Sequence, residues 1–124
     1  DGYAHLSFQA DRAVQNTTSS QTLAQHSIEV KTLTLATLFE KFGVSDCDYL
    51  KIDCEGGEYE ILFTASPKTL ACVQRICMEI HDGIDGHNRF EMITFLQGQG
   101  YRTRLTPNPV HDNLAYLFAD RSAT

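Results

Sequence analysis

The chain has 124 residues, 42% of them apolar, which is enough for one domain with one core and ordinary for a globular protein. Ten Lys and Arg against sixteen Asp and Glu leave a net charge of −6, which argues against a nucleic-acid backbone as the main partner, since phosphate neutralisation needs clustered basic side chains. No apolar run approaches the roughly 20 residues that span a bilayer, and no basic segment followed by an apolar one marks a secretory leader.

Taken in chain order, Tyr3 to Phe8 alternates weakly and predicts an edge or hairpin strand. Gln15 to Gln25 is rich in Thr, Ser, Gln and Asn and reads as a loop. Ile28 to Thr32 alternates again and reads as a short strand. Thr34 is a good N-cap for a helix over Leu35 to Phe42, with Leu35, Leu38, Phe39 and Phe42 at helical spacing and Gly43 as its stop. Tyr49 to Asp53 is the next strand, and Gly56 and Gly57 allow a tight turn after it. A helix starts at Glu58 and runs to Phe63, its two acids suiting the positive N-terminal end. Beyond Pro67 a second short helical piece holds Leu70 and Val73.

Arg75 to His81 is a continuous apolar run and reads as a central strand. Asp82 to His87 is a loop with two glycines. Phe90, Ile93, Phe95 and Leu96 predict a helix that ends near Gly98 or Gly100. Tyr101 to Leu105 is a strand, Thr106 to Asp112 a Pro/Asn turn, and Asn113 to Phe118 the final strand. The order is strand-helix-strand-helix-strand, then a strand pair joined by a turn. The crossovers imply parallel neighbours with right-handed connections. The expected fold is α/β, with parallel strands ending in an antiparallel hairpin, and no internal linker divides it.

The four cysteines, Cys47, Cys54, Cys72 and Cys77, match no zinc or thioredoxin spacing. Cys54 and Cys77 fall in strand-like apolar runs, where a free Cys behaves as a small buried hydrophobe. All four are expected to be reduced thiols in a cytoplasmic protein.

The chemistry concentrates at two strand ends. Asp53 and Glu55 follow one strand, and Glu79 and His81 end the next; if the strands are adjacent, these groups share one rim, where open α/β sheets bind ligands. A carboxylate such as Asp53 there can take a hydroxyl proton directly or through His81, since an unperturbed imidazole titrates near neutrality. The bland alternatives are that Asp53 bonds the turn amides and Glu58 caps its helix. Asp53, Glu79, His81 and Asp82 are also the candidate ligands for a divalent metal, although no ligand spacing fixes such a site and a solvated acidic rim is the simpler reading. His5, His26, His87 and His111 read as surface residues, and Phe39, Phe42, Phe95 and Phe118 as packing. No nucleophile elbow, GxGxxG or phosphate loop occurs.

The stretch Tyr49-Leu-Lys-Ile-Asp-Cys-Glu-Gly-Gly-Glu-Tyr-Glu-Ile-Leu62 resembles the LKIDVEGAE-type signature of the FkbM-family methyltransferases, with Cys54 where Val is usual and Gly57 where Ala is usual. The resemblance runs from Ser19 onward: the Val30 to Phe42 strand and helix, the Ile76 to His81 strand with its Glu-x-His ending, and the closing hairpin are similar to the C-terminal half of that domain. It implies a partial class I, Rossmann-like methyltransferase fold spanning residues 1–124, with the cofactor-binding N-terminal half absent upstream of Asp1. It implies S-adenosylmethionine as cofactor and a small-molecule or sugar hydroxyl as methyl acceptor.

By position, the resemblance places Asp53 and Glu55 at the cofactor, Glu55, Glu58, Glu79 and His81 on the substrate side, and Asp53 and His81 in catalysis, with no metal ligand. The Tyr49 to Asp53 strand, central in the whole family fold, becomes an exposed edge that invites pairing with a second copy. Two other functions fit the same residues: a non-catalytic α/β interaction module, and a metal-dependent enzyme using Asp53, Glu79 and His81. Neither a nucleic acid nor a membrane is expected as partner.

Overall fold

The computed structural model describes residues 1–9 and 25–121. They gather into two compact units, 1–33 and 34–124. The expected loop at 15–25 lies outside the described residues, apart from Gln25, which is in a strand.

The first unit is a hairpin of β1 (Gly2–Gln9) and β2 (Gln25–Thr32), paired antiparallel from Gly2 opposite Thr32 to Gln9 opposite Gln25. This corrects the expected crossover. The pattern from Ile28 through the helix at Leu35 to the strand at Tyr49 implied parallel neighbours, whereas β2 is spent on β1.

The second unit carries a four-stranded sheet in the order β3-β4-β6-β5. Its elements are α1 (Leu35–Phe42), β3 (Leu50–Ile52), α2 (Glu58–Phe63), α3 (Pro67–Ala71), β4 (Arg75–His81), a 3₁₀ turn at Ile84–Gly86, α4 (Arg89–Gly98), β5 (Arg102–Pro107) and β6 (Leu114–Asp120). β3 and β4 are parallel, with Ile52 opposite Met78. β5 and β6 form the expected antiparallel hairpin, and β6 inserts between β4 and β5.

Helices α1, α3 and α4 start where a side chain satisfies open amides of the first turn, and α2 starts without such a cap. Thr34 accepts from the Thr37 amide, Ser66 from Thr69, and Asn88 from Phe90 and Glu91. Gly43, at φ 64°, ends α1 in the left-handed conformation that glycine favours.

One face of the sheet makes the core. Ile52, Ile76, Met78, Ile80, Ala115, Leu117 and Ala119 pack with Leu35, Phe39, Tyr59, Leu62, Leu70, Met92 and Leu96 from the helices. β4 alternates strictly, with Ile76, Met78 and Ile80 buried and Cys77, Glu79 and His81 only half-buried, so the continuous apolar run is a two-faced strand. Phe42, expected in the core, is 67% exposed, because α1 meets the core only through Leu35 and Phe39. Cys54, also expected inside, is exposed, since β3 ends at Ile52 and the chain has already turned. Among the described residues no helix is long and apolar enough to cross a membrane.

Candidate functional site

β3 and β4 run side by side in the same direction, so their carboxyl ends share one edge of the sheet. Asp53 follows β3 directly and His81 closes β4. The link between them is Glu58, the first residue of α2. Its side chain is 0% exposed. Oε2 accepts a hydrogen bond from the Gly56 amide at 2.8 Å, and Oε1 accepts from the His81 amide at 2.8 Å. The Nδ1 atom of the His81 ring lies 2.8 Å from the same Oε1. A dry carboxylate is costly unless both oxygens are hydrogen-bonded, and here three nitrogens meet that requirement.

The turn before α2 is shaped for this. Glu55 takes a positive φ of 52° and Gly56 one of 103°. The Gly57 amide closes the turn onto the Cys54 carbonyl at 3.0 Å. The chain therefore doubles back tightly enough for Glu58 to reach an amide two residues upstream.

Of the site residues expected from sequence, Glu58 and His81 are brought into contact. Glu58, expected on the substrate side, has its carboxylate enclosed and both oxygens engaged by the Gly56 amide and by His81. Asp53 is exposed and pairs with Lys51 at 3.0 Å, and it does not bond the turn amides. That hydrogen bond, then the charge of Asp53, holds the Lys51 ammonium above its ordinary pKa, with Glu79 adding a smaller push. Glu55 is exposed on the turn. Glu79 lies half-buried on the sheet face away from the helices, directly across from Tyr116.

Asp82 accepts from the Arg89 amide at 2.7 Å and from Arg89 Nε at 2.6 Å, so it is tied to the start of α4. Among the described residues no group of three His, Cys, Asp or Glu side chains is placed to hold a metal ion. The quartet Asp53, Glu79, His81 and Asp82 is thus dispersed over separate partners.

A cavity of about 500 Å³ opens beside the site, between the turn at 55–57, α2 and the Ile84–Gly86 turn. Glu55, Glu60 and Asp85 line it, with Tyr59, Phe63 and His87 as its aromatic wall. His87, expected as a plain surface residue, stacks on Tyr59 with centroids 5.1 Å apart and pairs with Glu91 at 2.9 Å. Burial, then the nearby Asp82, Glu58 and Glu91 charges, raise the Tyr59 phenol above its ordinary range. Sequence reasoning missed Lys51 and Arg89. Lys51 was legible in principle, because it stands two positions before Asp53 on the same strand face.

A parallel strand pair whose carboxyl ends carry Asp53 and an imidazole on a buried acid suits an α/β enzyme of the methyltransferase class. The family model of the methyltransferase FkbM domain matches residues 1–103. The chain belongs to the FkbM methyltransferase family. The match takes in β1, which the resemblance from Ser19 onward left out, and it stops inside β5, so β6 lies beyond it. Comparison with curated proteins and with solved structures gave no match.

Proposed function

We propose that this rim serves S-adenosylmethionine-dependent transfer of a methyl group to a hydroxyl oxygen of a small molecule or sugar, in a class I, Rossmann-like fold. The observation that carries the reading is the His81 ring, fixed by a buried carboxylate at the end of β4, one strand from Asp53. Two parallel strands followed by an antiparallel hairpin support the fold assignment. Four free thiols support a reducing, cytoplasmic setting.

The residues fit the cofactor's chemistry. Its amine and ribose hydroxyls are donors, and Asp53 and Glu55 are exposed acceptors at the end of β3. These two carboxylates would hold it. When bound, the cofactor supplies an electrophilic methyl group, which it would give up by breaking its bond to sulfur and leaving as the neutral thioether. His81 would hold the acceptor hydroxyl and take its proton. Glu79, on the neighbouring strand position, faces the acceptor side with His81.

Titration calorimetry with S-adenosylhomocysteine, on a chain that carries the family's cofactor-binding half together with these residues, tests this. Binding in the micromolar range is expected, and Asp53→Ala should abolish it while the circular dichroism spectrum stays unchanged. His81→Ala should lower methyl transfer by about 10²–10⁴-fold, the usual worth of a positioned general base. Absence of binding, or undiminished turnover in His81→Ala, would overturn the proposal.

A further inference from the structure

Glu58 does not cap its helix: α2 has no side-chain cap, and the carboxylate bonds the Gly56 amide ahead of it. An acid at a helix start meets the positive end of the helix while staying exposed, at little cost. Glu58 is instead wholly enclosed and joins the turn after β3 to the last residue of β4. Both of its oxygens accept backbone N–H groups, so the proton in the 2.8 Å contact with His81 belongs to the ring nitrogen. We infer that Glu58 is a positioning residue: it fixes His81 as the Nδ1–H tautomer and leaves Nε2 as the free proton acceptor.

The geometry argues for this in three ways. The contact on Nδ1 dictates which nitrogen carries the proton, because the hydrogen bond made by one ring nitrogen sets the state of the other. The same Oε1 atom also holds the His81 amide, so the ring is anchored at its own backbone and cannot swing about χ1 without breaking the pair. Finally, the ring keeps 14% of its side-chain surface open, and Nε2 accepts no hydrogen bond among the described residues. The open nitrogen is therefore the one that can meet a hydroxyl. The inference rests on His81 being the base, and it extends that reading to the group that makes the base usable.

The test reads the tautomer directly. Long-range ¹H–¹⁵N correlation spectra of the protein, recorded above the imidazole titration, distinguish the protonated ring nitrogen from the bare one. The native protein is expected to show His81 protonated on Nδ1. Glu58→Ala should release the ring toward the Nε2–H form that free imidazole side chains favour. Glu58→Gln keeps one acceptor for Nδ1–H and should hold the tautomer, although its amide nitrogen then faces the Gly56 amide.

Turnover should follow the tautomer. Glu58→Ala is expected to lower kcat by about 10²-fold with KM for the acceptor unchanged, and Glu58→Gln to recover part of that loss. Since Glu58→Ala removes a buried acid, Glu58→Gln is the variant that keeps the test open if the first fails to fold. Native His81 protonated on Nε2, or a tautomer indifferent to Glu58→Ala, overturns the inference whatever the turnover. Full activity in His81→Ala, with the tautomer as expected, overturns the catalytic reading instead.

Discussion

Gly56 is the tightest point of the rim. Its φ is 103°, and a Cβ built on it would lie 2.8 Å from Ile84 Cγ2 and 2.9 Å from Cγ1. Gly57, its neighbour, has an ordinary φ of −70° and would bring a Cβ no closer than 3.3 Å to Cys54. The two glycines look alike in sequence and behave differently. Gly56→Ala should destabilise by about 1–3 kcal/mol, through the close contact and the left-handed backbone together. Gly57→Ala, which restores the residue usual in the family signature, should be close to neutral. Urea unfolding of the two variants checks this. Adding Ile84→Ala to Gly56→Ala should return only the steric share, because the backbone strain stays. The turn itself was readable from two adjacent glycines. Which one the fold needs was not, because the answer lies in Ile84, on a loop after the following strand. The same holds for Glu58: its place at the helix start was legible, but it does not cap the helix, and its burial under His81 was set by a strand far along the chain.

At the scale of elements, local chemistry was a good guide. Thr34 and Gly43 bracket α1 as expected, α2 spans Glu58–Phe63, and β4 spans Arg75–His81. These boundaries rest on caps, glycines and runs a few residues long, which act without tertiary help. What the elements do to one another was harder to see. Tyr101, just before β5, is an example. Its hydroxyl donates to the carbonyls of Leu70 and Val73 at 2.8 and 2.9 Å, closing the C-terminal end of α3. Arg121 stacks over its ring at 4.5 Å. Tyr101→Phe leaves the Val73 carbonyl without that donor, while the Leu70 carbonyl keeps the Val73 amide, and should cost about 1–3 kcal/mol. A pH signature accompanies it. Burial raises the phenol pKa of Tyr101, against a smaller opposing effect of Arg121. The unfolded chain sheds that proton near its ordinary value of about 10, while the folded chain retains it. The stabilisation is therefore complete below pH 10 and is lost as pH rises beyond it. Denaturation midpoints measured on both sides of pH 10 should fall in the native protein and fall less in Tyr101→Phe. Tyr59, raised in the same way, keeps part of the slope.

At the scale of the molecule, the strand order decides which edges are open. The period of two within a strand says which residues share a face, and nothing local says which strand lies next to which. Hence the closing hairpin was legible, whereas the insertion of β6 beside β4 and the pairing of β2 with β1 were not. The finished order leaves β3 and β5 at the ends of the four-stranded sheet, and the two edges differ. β5 carries Arg102, Arg104 and Pro107, the charged residues and proline that discourage further pairing. β3 is three residues long, with Lys51 as its only charge and the exposed Tyr49 just before it. Ile52 and Leu50 turn toward the core, so what β3 offers outward is its unpaired backbone. Strand addition should therefore select β3. Light scattering of the chain should show its mass rising toward that of a dimer as concentration increases into the high micromolar range. Tyr49→Asp, which sets a charge beside the edge without touching the core, should return it to a monomer. A monomer at every concentration would refute edge pairing, and a dimer indifferent to Tyr49→Asp would move the contact away from β3. The net charge of −6 opposes any association of two copies. Added salt should then strengthen a backbone-paired dimer, since it screens that repulsion and leaves the strand hydrogen bonds in place.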